Sequence, residues 1–380
     1  LKKNRFLLLL TLLLAVGLVL SACGSSEEGD NASDKSTDNG GTEGTDEGTE
    51  NTEEASDIKV GMVTDIGGVD DKSFNQSAWE GLQAFASENG LSKGQGIDYV
   101  QSEKDADYLP NLTRLVQQDY DVVYGIGYLL APAVEKVAEQ NPDTNFAIVD
   151  SVVEADNVAS ITFQEHQGSF LVGVAAALKT ESKKVGFVGG VEGELIKKFE
   201  AGFIAGVKSV DPSIDVTVQY ADSFGAPDKG KAIAANMYNS GVDVIYHSSG
   251  GTGNGVFAQA KDIKNANPDA YVWVIGVDRD QYEEGAIGDT NVTLTSMLKR
   301  VDVAVKTVAQ QAADGEFPGG EILAFGIKED GIGVADTNKE AYTDEIDKVV
   351  QEYKEKILNG EVTVPSTDEE LKTYLESLEQ

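Results

Sequence analysis

The sequence predicts an α/β protein of two doubly wound, parallel-sheet lobes joined by a hinge, with a ligand cleft between them. Three observations carry this. From residue 58 onward, short apolar runs alternate with amphipathic stretches, the pattern of right-handed crossovers and a parallel sheet covered on both faces. The alternation comes in two series, and 380 residues exceed one ordinary core. Glycines and aspartates collect directly after the apolar runs, where the carboxyl edge of a parallel sheet receives ligands.

The chain begins LKKNRF, continues as LLLLTLLLAVGLVL and reaches SACGSS. A basic start, a short apolar segment and small residues before a cut describe an export signal over residues 1–22. Leu20-Ser21-Ala22-Cys23 resembles the bacterial lipobox, in which the thiol is lipidated and the chain is cut before it. Cys23 is the single cysteine, which excludes disulfide frameworks and cysteine-ligated metals. Residues 24–57 hold twelve acidic residues, one Lys and almost nothing apolar. Such a stretch cannot offset its ordering entropy, so 23–57 reads as a lipidated Cys with a self-repelling tether. The expected location is the outer face of the cell membrane, in a Gram-positive bacterium.

Strands are expected at 58–64, 97–101, 122–126, 146–149 and 158–163, with helices at 74–88, 109–118 and 131–140 between them. The second series places strands at 185–188, 216–220, 242–246 and 271–277, with helices near 168–178, 195–207, 230–239 and 255–265. A strand at 292–297, a helix at 301–313 and a strand at 322–327 return across the junction. The expected first lobe is 58–163 plus about 279–321, and the second is 164–278 plus about 322–345. Residues 346–380 read as a surface helical tail without chemistry.

After the first strand comes a loop crowded with Asp65, Asp70, Asp71, Lys72, Ser73, Phe74, Asn75 and Gln76. Later strand ends supply Gly127-Tyr128, Asp150, Gly189-Gly190, Tyr246 through Gly251, and Asp278-Arg279-Asp280. Glycine there lets a ligand approach the backbone, and aspartates offer acceptors for hydroxyl or ring N–H groups. Asp70 and Asp71 are equally suited to capping the following helix. The Gly250–Gly253 turn is not followed by a phosphate-loop lysine.

Composition narrows the function. The formal charge is −35, of which −27 falls on residues 58–380. A nucleic-acid partner would require a basic face, and the acidic surroundings also disfavour a phosphorylated ligand. The two histidines, His166 and His247, have no nucleophile motif beside them, and no metalloprotease or Walker sequence occurs. His247 is expected to line the cleft as a polar residue. No enzyme activity, cofactor or metal is expected. A nucleoside hydrolase using clustered aspartates and calcium lacks the ligand spacing.

The segments DIGGVDDKSFNQSAWEGL at 65–82, FAIVDSVV at 146–153, QGSFLVGVAAALK at 167–179, FEAGFIAGV at 199–207, GGTGNGV at 250–256, VIGVDRDQY at 274–282 and TSMLKR at 295–300 resemble the basic membrane protein family. These are extracytoplasmic solute-binding lipoproteins of ABC importers, and the likeness is greatest to the purine nucleoside receptor A type. It covers 58 to about 360. The resemblance implies a type I periplasmic-binding-protein fold with a three-part hinge that closes on a purine nucleoside. It also implies an ABC permease with its ATPase subunits as partners, and a monomer. It assigns Phe74 to stacking, Asn75 and Asp150 to the base edge, and Asp65, Asp278 and Lys299 to the ribose. Gly250 and Gly251 allow close backbone approach, and the second aromatic falls near Tyr246, where relatives more often carry Phe. A carboxylate accepting from the base edge favours guanosine or inosine, with adenosine tolerated. The alternative role is a regulatory or sensory lipoprotein of the same fold.

Overall fold

In the computed structural model, residues 57–379 are described. The expected export signal, Cys23 and nearly all of the tether lie outside them. Two sheets organise the rest. The first takes β1 (Val60–Thr64), β2 (Ser92–Lys93), β3 (Gly96–Val100), β4 (Val122–Ile126), β5 (Asn145–Val149), β6 (Val158–Phe163) and β14 (Ile322–Phe325). Its order is β14-β6-β5-β4-β1-β3-β2, parallel throughout. The second takes β7 (Lys184–Gly189), β8 (Asp215–Tyr220), β9 (Val244–Ser248), β10 (Trp273–Asp278), β13 (Thr293–Lys299) and β15 (Ile332–Val334). Its order is β15-β13-β10-β9-β7-β8, parallel except for the β13–β15 pair. A small antiparallel hairpin joins β11 (Ala286–Ile287) to β12 (Thr290–Asn291).

Every residue of β1, β4 and β9 is buried, as expected for strands covered by helices on both faces. The first sheet is covered by α1 (Phe74–Glu88), α2 (Tyr108–Gln117), α3 (Ala131–Gln140) and α8 (Val301–Ala313). Phe74, Ala78, Leu82 and Phe85 form the buried stripe of α1 at helical spacing. The second sheet carries α4 (Glu165–Lys179), α5 (Glu194–Val210), α6 (Pro227–Asn239) and α7 (Gly253–Ala266). Helices α4 and α5 touch through backbone. A Cβ on Gly206 would stand 2.0 Å from the Phe170 carbonyl oxygen, and one on Gly202 would stand 2.2 Å from that of His166. Only glycine permits this seam.

Two assignments differ from the sequence expectation. The strand at 293–299 pairs with β10 in the second sheet, and Ile322–Phe325 pairs with β6 in the first, so the returning strands trade lobes. The tail is also more deeply committed than a surface helix. It forms α9 (Asp344–Leu358) and α10 (Asp368–Leu378), which pack Tyr353 and Tyr374 against Phe170 of the core.

Among the described residues the chain crosses between lobes three times, at Phe163–Glu165, Lys299–Val301 and Phe325–Ile332. The crossings are tied side by side. Gln164 donates its N–H to the Phe325 carbonyl at 2.8 Å, and Arg300 donates to that of Gly331 at 2.9 Å. No helix among the described residues is long and apolar enough to cross a membrane.

Candidate functional site

The carboxyl ends of β1, β4 and β5 face those of β9, β10 and β13 across a cavity, the place where open parallel sheets receive small molecules. From the first lobe, Asp65, Phe74, Asn75, Tyr128 and Asp150 line it. From the second come Phe199, Phe224, Ser248, Ser249, Gly250, Asp278 and Lys299. Among the lining residues described, Asp65, Asp71, Asp150 and Asp278 set four carboxylates against the single ammonium of Lys299.

The loop after β1 has a double function. Asp71 caps α1: one carboxylate oxygen accepts the N–H groups of Ser73 at 2.9 Å and Gln76 at 3.1 Å, and the other accepts that of Asn75 at 2.8 Å. The side chain of Asn75 is oriented by the same carboxylates. Its Nδ2 donates to Asp65 Oδ1 at 2.7 Å and to Asp71 Oδ2 at 3.1 Å. Two carboxylates accept only, so the amide nitrogen must face them and Oδ1 must point away. That Oδ1 is buried without a partner in the cavity wall.

Asp150 and Asp278 occupy matching positions, each ending a central strand with φ of 67° and 66°. Aspartate tolerates this left-handed conformation better than most side chains. Asp150 Oδ2 accepts from Lys299 Nζ at 2.5 Å, and its Oδ1 is buried without a hydrogen bond. Asp278 accepts from the Ser73 hydroxyl across the cleft. The ammonium also stands 4.8 Å from the Phe74 ring centre and 5.5 Å from that of Phe199.

Burial dominates the electrostatics. It pushes Asp278 up to about 6, with Lys299 and the Ser73 hydrogen bond pulling down and Asp150 and Asp71 pushing up. Asp71 also lies at about 6, raised by burial against three backbone donors. Asp65 is raised by burial, against the hydrogen bonds from Asn75 and Gly67. Burial alone would lower Lys299; Asp150, Asp278 and Glu165 more than offset it, and the ammonium is held charged. The site therefore favours ligands rich in hydrogen-bond donors.

The cavity brings together Asp65, Phe74, Asn75, Asp150, Gly250, Asp278 and Lys299 of the residues expected from sequence. Gly251 is buried beside Gly250, short of the cavity. Tyr246 lies elsewhere: it is fully buried within β9, its ring 5.2 Å from Phe203 and 5.6 Å from Phe187, and its hydroxyl 3.1 Å from that of Ser169. Strand β9 continues two residues beyond the expected end, so Tyr246 falls mid-strand beneath the helices. The aromatic rings that line the second-lobe wall are Phe199 and Phe224. His247 also sits behind the wall. It hydrogen-bonds Gln281 at 3.0 Å and Ser249 at 3.4 Å, and burial lowers it to about 4.

Residues 58–368 match the family described as ABC transporter substrate-binding protein PnrA-like. The chain is 50% identical over 371 residues to a protein named CD4+ T-cell-stimulating antigen of Listeria monocytogenes, covering 96% of this chain and 99% of the relative. It is 45% identical over 318 residues to the ABC transporter nucleoside-binding protein BmpA of Lactococcus lactis, covering 82% and 90%. An ABC transporter solute-binding protein from Aeropyrum pernix superposes with a TM-score of 0.73 at 27% identity, covering 85% of this chain and 97% of that one. The fold, the matched span and these relatives agree: the chain belongs to the PnrA-like family of ABC transporter substrate-binding proteins.

Proposed function

We propose that the chain is a lipoprotein anchored through Cys23 that captures purine nucleosides, guanosine and inosine preferred, and delivers them to an ABC permease. The observation that carries the preference is the Asn75 amide. With both amide hydrogens committed to Asp65 and Asp71, only its carbonyl oxygen is free to meet a ligand. A carbonyl beside a carboxylate accepts from N1–H and N2–H₂ of guanine or N1–H of hypoxanthine. Adenine offers an unprotonated N1 there.

The pairings support a division of labour that differs from the family expectation. Asp65 is bonded to Asn75, which favours Asp65 for the base edge. Asp150 is bonded to Lys299 in the neighbourhood of Asp278, which favours that trio for the ribose hydroxyls. Phe74 offers one face for the base, with Phe199 or Phe224 opposite. Stacking of this kind contributes about 1–3 kcal/mol per base in other systems.

Calorimetric titration with guanosine, inosine, adenosine and cytidine tests the reading. Guanosine or inosine should bind most tightly. Tighter binding of adenosine or a pyrimidine nucleoside sinks the preference, and no nucleoside binding at all sinks the function.

A further inference from the structure

Behind the cavity, Lys299 stands between two carboxylates that belong to different lobes. Asp150 follows β5 of the first lobe, with Oδ2 2.5 Å from Nζ. Glu165 opens α4 of the second lobe, with Oε1 3.9 Å from the same Nζ. Glu165 is fully buried, and its Oε1 has no hydrogen-bond partner. Its Oε2 accepts from Lys198 of α5 at 3.3 Å. The glycine seam between α4 and α5 fixes Lys198 and Glu165 to one another, and β13 places Lys299 in the same lobe. When the cleft opens, Asp150 leaves with the first lobe while Glu165 stays.

We infer that Glu165 is a positioning residue for this ammonium, holding Lys299 while the lobes are apart and yielding it to Asp150 as they close. The inference rests on the nucleoside reading only for its choice of probe. The orphaned Oε1 is the mark of the exchange: a carboxylate oxygen built into a dry core, with Lys299 3.9 Å away and drawn toward Asp150 instead.

A buried carboxylate from which one of two counter-charges is drawn off binds a proton more tightly. The groups facing Glu165 are Lys299 of β13, Asp150 after β5, Lys198 of α5 and Tyr246 of β9. Burial raises its pKa first, Lys299 lowers it, Asp150 raises it and Lys198 lowers it, leaving it at about 7 in the closed chain. The closed form binds the proton more tightly than the open one. Affinity is therefore flat above about pH 7 and rises as pH falls below it, by at most about tenfold per unit for this one group.

The experiment compares the full chain with Glu165→Gln and Lys198→Met between pH 5.5 and 8.5. One readout is guanosine affinity. The other, without ligand, is the distance between labels at Glu135→Cys on α3 and Asn265→Cys on α7, in a Cys23→Ser background. Glu165→Gln should shift the distances toward closure and remove the step in affinity that begins near pH 7. Lys198→Met should move that step to higher pH. Wild-type pH profiles in the Glu165→Gln protein, or equal losses of affinity at every pH, would overturn the inference. Failure of guanosine to bind the wild type would count against the nucleoside reading alone, because the distance profile still decides the role of Glu165.

Discussion

Arg279 and Glu80 form a two-pronged ion pair across the cleft, with Nε and Nη2 of the arginine 2.9 and 2.8 Å from the two carboxylate oxygens. Arg279 follows β10 of the second lobe, and Glu80 lies on α1 of the first. Two further bonds span the same gap. Asn254 donates to the Asp71 carbonyl at 3.1 Å, and Gln281 donates to that of Lys72 at 2.9 Å. All three reach the segment that presents Phe74 and Asn75, so closure and ligand contact draw on one piece of backbone.

The ion pair is partly exposed, at 26% and 40% of the side chains, so solvent screening limits it to about 0.2–1 kcal/mol. Arg279→Ala should weaken guanosine binding by roughly two- to fivefold at low ionic strength. The loss should shrink in 0.5 M salt (about 4 Å of screening length). Titration at two salt concentrations checks this, and a salt-independent loss would mean that Arg279 acts otherwise.

Asn75→Ala removes the acceptor at the base edge and frees Asp65 from a partner. Guanosine affinity should fall by about tenfold or more, in keeping with about 1–3 kcal/mol for an unmet buried polar group. Adenosine affinity should fall less. Parallel calorimetric titrations of the two nucleosides give the ratio directly, and an equal loss for both would remove Asn75 from base discrimination.

Tyr246→Phe and Phe199→Ala separate core from cavity. The first deletes a hydroxyl bonded to Ser169 behind the cavity lining, so it should lower unfolding stability by about 0.5–1.5 kcal/mol and leave nucleoside affinity within twofold of wild type. The second should lower affinity by about 1–3 kcal/mol, the value of one stacking face. Denaturant unfolding beside ligand titration distinguishes the two. Loss of affinity in Tyr246→Phe would return that ring to the site.

Asp278 carries a pH signature. Burial pushes its folded pKa up to about 6, above the ordinary aspartate value of 3.8, so the folded chain holds the proton more tightly. Its charge therefore destabilises the closed fold at neutral pH, and the penalty disappears as pH falls through 6 toward 4. Asp278→Asn should raise the melting temperature at pH 8 by a few degrees and lose that advantage near pH 4.5. His166 and His247, both lowered to about 4 by burial, act in the opposite sense as pH falls from about 6.5, so the difference between variant and wild type is the informative quantity. An advantage that persists at pH 4.5 would rule out the charge as its cause.

The two alternating series were legible because each strand and helix is written locally, in a run of apolar residues or a stripe at helical spacing. Helices α1, α3 and α8 fall on the expected residues. Partners are not written locally. Nothing in the residues of β13 and β14 says which sheet each joins, and that choice rests on side chains contributed by distant segments. The same distinction explains the site. Asp65, Asp150 and Asp278 were readable as strand ends. Phe199 was not, because its position depends on how α5 rolls against α4 along the glycine seam. Tyr246 misled because a two-residue error at the end of β9 moves a side chain from cavity to core.

The three crossings, bonded to one another through Gln164, Phe325, Arg300 and Gly331, have a mechanical consequence. Parallel backbone passages resist torsion and sliding and leave bending as the soft coordinate. Opening then reduces to a single angle, like a door on three pins. On the proposed role, a permease that senses that angle needs no contact with the cargo to register that the cleft is filled.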